Sequence, residues 1–128
     1  MKLTIQVLKS IILFMYTINR SIAIIRPKQP FVDWANQLPD AERESSLDDF
    51  KADCLAILIP EYNTDEEAER YIDELYEDIF IEELFAWCTE ESWWPQDRTN
   101  EIFWQWFGVE LHSIVVDSST EPIEREEL

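Results

Sequence analysis

One helical stretch constrains this chain more than any other feature. Thr64-Asp65-Glu66-Glu67 has the form of a capping box, with a Thr cap and an acid three residues on, and its carboxylates suit the positive end of a helix dipole. The pattern predicts a long helix from there to near Thr89. In the first half Ala68, Tyr71, Ile72, Leu75 and Ile79 make one apolar stripe, while Glu66, Glu69, Arg70, Asp73 and Glu77 lie opposite. After Phe80 the stripe changes sides: at about 100° per residue, Phe80, Ile81, Leu84, Phe85 and Cys88 point toward the side that was acidic. Such a helix either breaks near Phe80 or runs between two apolar surfaces. We expect the second, with the covering surface supplied by the next helix, where Ile102, Phe103, Trp106 and Phe107 recur at helical spacing and Gly108 stands as the C-cap.

The remaining elements arrange themselves around that pair. Arg20 to Arg26 is β-branched and closes at Pro27, which reads as a first strand. Pro30 suits the first turn of a short helix carrying Phe31, Trp34, Ala35 and Leu38, stopped by Pro39. Ser46-Leu47-Asp48-Asp49 caps a second short helix ending near Ala52. Cys54 to Ile59 is a continuous apolar run, which predicts a central strand covered on both faces. Val109 to Val116 is read as a last strand that starts near an edge and finishes under cover. The order is β-α-α-β-α-α-β, an α+β domain with a small three-stranded sheet and helices packed mainly on one face.

A chain of 128 residues allows one such domain, and 46% apolar residues exclude a wholly disordered chain. We expect residues 19–117 to form it, with 118–128 a disordered acidic tail and 1–18 an N-terminal extension. Lys2 and Lys9 precede the apolar run Ile11 to Tyr16, and Ser21-Ile22-Ala23 has a small-x-small form, so a secretory signal is one reading of that extension. Cleavage after Ala23 would cut the first strand, which argues for an upstream start or a true element instead. Ser10 to Ile18 is far shorter than the ~20 residues that span a bilayer.

The string Asn19 to Trp34, with Ile22-Ala23-Ile24-Ile25-Arg26-Pro27 at its centre, resembles the opening of a group of small acidic bacterial proteins of unknown function. Leu58-Ile59-Pro60-Glu61-Tyr62 and Val109-Glu110-Leu111-His112-Ser113 resemble later parts of the same group. The resemblance covers about residues 19–117. It implies a cytoplasmic domain beginning near Asn19 and carries no activity with it.

Charge and composition narrow the function. The net charge is −18, and it is uneven: residues 1–32 hold five bases and no acid, and the rest holds all 28 acids. This excludes unaided electrostatic binding of nucleic acid or anionic lipid by the acidic body. A single glycine excludes dinucleotide-binding and phosphate-cradling glycine loops. Cys54 and Cys88 lie in expected core elements without C-x-x-C spacing, and read as free thiols. Glu74, Asp78 and Glu82 form an i, i+4, i+8 column read as a solvated face. No cofactor and no metal site is assigned.

Two functional readings follow. In the first the chain is a non-catalytic acidic interaction module, its helix face of Glu66, Glu69, Asp73 and Glu77, flanked by Trp93 and Trp94, docking on a basic protein partner. In the second it is an enzyme using carboxylate acid-base or metal chemistry at strand ends near Glu61, Glu110 and His112. A structural or assembly role is the remaining class.

Overall fold

The capped acidic segment forms one unbroken helix, Asp65–Trp87. In the computed structural model, which describes residues 15–41 and 43–128, the Thr64 hydroxyl accepts from the Glu67 amide, and the Glu67 carboxylate accepts from the Asn63 amide. The cap therefore satisfies a helix-start amide and ties down the chain that enters it. In chain order the elements are β1 (Tyr16–Thr17), β2 (Ser21–Pro27), α1 (Gln29–Asn36), α2 (Leu47–Lys51), β3 (Leu55–Ile59), α3 (Asp65–Trp87), a 3-10 turn (Glu91–Trp93), α4 (Asn100–Trp106), β4 (Phe107–His112) and β5 (Val116–Asp117). The signal-peptide and upstream-start readings concern residues that, up to Phe14, lie outside the described ones.

The fold is α+β, with antiparallel sheets of three and two strands. The three-stranded sheet has the order β3-β2-β4, which corrects one expectation: the apolar run Leu55–Ile59 is an edge strand, and β2 is the centre. Pleat explains it. Ser21, Ala23, Ile25 and Pro27 of β2 are all buried under the helices, whereas Ala56 and Leu58 of β3 turn to the opposite, open face, where Leu58 is 47% exposed. An apolar run looks the same whether its second face is covered or open. Pro27 is tolerated in the central strand because it is the last residue, and the next amide, Lys28, donates to the Trp106 carbonyl instead.

The β2–β4 ribbon continues beyond the sheet as β1–β5. Between the pairs Thr17↔Val116 and Ile22↔His112, four residues on one strand face three on the other, a bulge-like change of register. The last strand expected over Val109 to Val116 is thus interrupted, and Ile114 and Val116 are exposed rather than covered. Residues 118–128 carry no regular element and are exposed.

The stripe that changes sides is resolved as expected. Ala68, Ile72 and Ile79 are buried in the first half of α3, and Phe80 and Leu84 in the second. The Phe80 ring centroid lies 6.3 Å from that of Phe103, 5.5 Å from Trp106 and 5.4 Å from Phe107, so α4 and the start of β4 are the second surface. Two details differ. Gly108 is not a helix cap: α4 passes directly into β4 through Phe107, whose backbone is extended, and Gly108 has no positive φ. Phe85 is 53% exposed, because one further residue turns it about 100° beyond Leu84 and past the edge of α4. Phe85→Ala should accordingly change the unfolding free energy by no more than about 0.5 kcal/mol. A larger loss in chemical denaturation would show that this ring packs in the monomer.

Candidate functional site

The expected acidic helix face is only partly free. Glu66, Glu69 and Glu77 are exposed, but Asp73 is half-buried and accepts from Trp104 Nε1 at 2.7 Å and Asn100 Nδ2 at 3.1 Å. Asp73 lies on the side of α3 that α4 covers, and its carboxylate anchors the first turn of that helix. This corrects its reading as a solvent-facing position. Loss of a carboxylate here would leave two side-chain donors to find new partners.

The tandem tryptophans divide in the same way. Trp94 is 6% exposed and its Nε1 donates to the Cys88 carbonyl at 2.7 Å, so this ring plugs the core below the C-terminus of α3. Trp93 is 41% exposed, and its carbonyl is held by Trp34 Nε1 at 2.9 Å. Nor do the tryptophans flank the acids. Glu77, the nearest of these acids, is 11 residues before Cys88, which at 1.5 Å of rise per residue is about 16 Å along the helix.

On the open face of the sheet, pleat brings Arg26, Glu110 and His112 together. Arg26 Nη2 meets Glu110 Oε2 at 2.8 Å, and His112 Nε2 lies 3.4 Å from the same oxygen. Cys54 stands on the other flank of Arg26, with Sγ 3.9 Å from Nη1. The hydrogen bond from Arg26, then that from His112, holds the Glu110 carboxyl below its ordinary range. Such a group is a poor proton acceptor near neutrality. Glu61 is exposed beyond the end of β3, on the opposite edge of the sheet, at least about 10 Å away across two strand spacings. The structure thus joins Glu110 to His112 and leaves Glu61 apart.

A residue absent from both sequence readings has the most perturbed environment. Glu83 is half-buried on the core side of α3, and its Oε1 is sealed from solvent with no hydrogen-bond partner among the described residues. Burial first, and the neighbouring Glu82 charge second, push its pKa from 4.5 to about 7. It lines a cavity of about 220 Å³ with Asp53, Leu55, Glu82, Ala86 and Trp87. That cavity adjoins an apolar groove of about 230 Å³ through the shared residues Leu55 and Glu82; Ile57, Leu75 and Ile79 form the groove floor and Asp78 its rim. Trp87 is stacked on the buried Phe50, with ring centroids 4.5 Å apart.

No family model, curated protein or solved structure matches this chain. Among the described residues no group of three or more His, Cys, Asp or Glu side chains is placed to hold a metal ion. No helix among them is long and apolar enough to cross a membrane.

A signal for Glu83 was present in the sequence. At about 100° per residue it falls between Ile79 and Phe80, at the place where the two stripes meet, so a stripe that changes sides must carry this carboxylate through the interior. The cavity beside it was not readable, because Asp53 and Leu55 reach it from another part of the chain.

Proposed function

We propose that this chain is a non-catalytic acidic interaction module that binds a basic protein partner. The observation that carries the reading is the absence of internal neutralisation: among the described residues, ion pairs engage only Glu110 and Asp48 of the acids. Glu66, Glu69 and Glu77 stand exposed with no such pair. A surface field of this sign raises the encounter rate with a cationic surface and repels anionic ones. Trp93 is available as an apolar contact at the far end of α3, whereas the Trp94 ring belongs to the core and Asp73 to the α3–α4 joint.

The test begins with capture from native lysate at low salt and continues with the kinetics of the purified pair. Substituting Glu66, Glu69 and Glu77 with Gln is expected to lower the association rate about tenfold at low ionic strength. The difference should shrink as salt shortens the screening length to about 10 Å at 0.1 M. The fold should be unaffected, since these positions are exposed. A captured partner that associates with the variant as fast as with the parent chain, or that is itself acidic, would defeat the proposal.

A further inference from the structure

We propose that the groove between α3 and the edge of β3 that no described strand pairs with is a strand-addition site for an extended segment of a basic partner. Alternate apolar side chains of that segment would lie over Leu55, Ile57, Leu75 and Ile79, and a lysine or arginine beside Glu82 and Glu83. This rests on the interaction-module reading and adds the docking element, which is on a different side of α3 from Glu66, Glu69 and Glu77.

Three observations converge on this place. First, among the described strands β3 pairs only with β2, so one side of Leu55–Ile59 presents open backbone donors and acceptors. Edge strands are usually guarded by an inward charge, a proline or a bulge, and Leu-Ala-Ile-Leu-Ile contains neither charge nor proline and pairs with β2 in unbroken register. Second, pleat places Leu55 and Ile57 on the helix side, where α3 leaves an apolar floor beside them. A strand added about 4.8 Å beyond β3 would put every second side chain above that floor. Third, the groove runs into the cavity of Asp53, Glu82 and Glu83, where one carboxylate oxygen has no partner among the described residues and Trp87 offers a flat wall to an alkyl stem or guanidinium.

Charge selects the occupant. A second copy would bring another −18 against the first along a shared edge. The chain's own C-terminus reaches the groove rim at Leu128, yet that residue is fully exposed and the tail behind it is acidic. A cationic segment with apolar residues two apart satisfies both the floor and the acids.

The probe is a capped synthetic peptide of the pattern Thr-Ile-Thr-Ile-Thr-Lys-Thr-Lys, with a control in which glutamate replaces lysine. Added to the full chain, the lysine peptide should bind in a salt-sensitive manner and slow amide hydrogen exchange across Leu55–Ile59, and the glutamate control should do neither. The double variant Glu82→Gln/Glu83→Gln, checked for an intact thermal transition, should bind about tenfold more weakly or worse. Absence of binding, unchanged exchange in β3, or equal affinity for the double variant overturns the groove. If association of the captured partner still slows with Glu66, Glu69 and Glu77 changed to Gln, the interaction-module reading survives without it. If neither set matters, both fall. A concentration-dependent dimer with β3 amides protected in the absence of peptide would assign the edge to a second copy and overturn the basic occupant.

Discussion

Phe80→Ala is expected to lower the unfolding free energy by about 3–5 kcal/mol. Phe80 is fully buried where the two apolar surfaces meet, against Phe103, Trp106 and Phe107. Truncation removes contacts to α4 and β4 together and leaves a cavity that fully buried neighbours such as Phe103 and Phe107 cannot readily collapse into. Against a typical total of about 5–15 kcal/mol, the variant keeps only part of its stability. At about 4 °C per kcal/mol the melting temperature should fall by roughly 12–20 °C. Urea denaturation with an unchanged slope would measure the loss directly. A loss below about 1 kcal/mol would mean that α4 does not hold α3 from this side, and the account of the shifted stripe would be wrong. Set beside the near-neutral outcome for Phe85→Ala, the pair maps which side of the helix α4 covers.

The second large effect is pH-dependent and belongs to Glu83. Its pKa is raised from 4.5 to about 7 in the folded chain, chiefly by burial and then by Glu82. The folded state therefore keeps a proton that the unfolded state releases, and stability falls as pH rises between these two values. The displacement corresponds to roughly 3 kcal/mol, complete above about pH 7 and absent below about pH 4.5. Glu83→Gln removes this titration. Relative to the parent chain, the variant should gain stability progressively from pH 4.5 to pH 8, with little change at the acid end. Parallel denaturation curves for the two chains separate this contribution from the general repulsion among the other acids, which both share. A constant difference across that range would show that Glu83 titrates normally in the folded protein.

The same carboxyl has opposite consequences for stability and for binding. An ionised Glu83 without a cation beside it is costly in the free protein, and a lysine or arginine entering the cavity would relieve that cost. The groove is therefore most receptive where the free protein is least comfortable. This accords with the tendency of functional sites to hold perturbed carboxylates.

What could be read from the sequence depended on how local its cause was. The Thr64 and Ser46 caps, the span of α3 and the need for a second surface over Phe80 all follow from residues within a turn or two of each other, and each is present. The change of stripe even named α4 as the cover. The α+β class and the three strands of the larger sheet followed from apolar period and proline positions, whereas the small β1–β5 pair, with Tyr16–Thr17 inside the expected extension, did not. Positions set by contacts between distant segments were not accessible. Whether Leu55–Ile59 lies at the centre or the edge of the sheet depends on which strands flank β2, and an apolar run carries no record of its neighbours. Asp73 reads as solvated from its own helix and is bonded by Asn100 and Trp104. Trp93 and Trp94 are adjacent in the chain, yet one faces outward and the other reaches the Cys88 carbonyl, because Trp93 ends the 3-10 turn and Trp94 caps it in an extended conformation. The sequence alone determined the helices, the three main strands and the acidic character of the chain, since these arise from periodicity and composition. Tertiary structure decided which edge stays open and which carboxylate is buried beside it, since burial and desolvation arise only when Asp53, Leu55 and Glu83 are brought together by the fold.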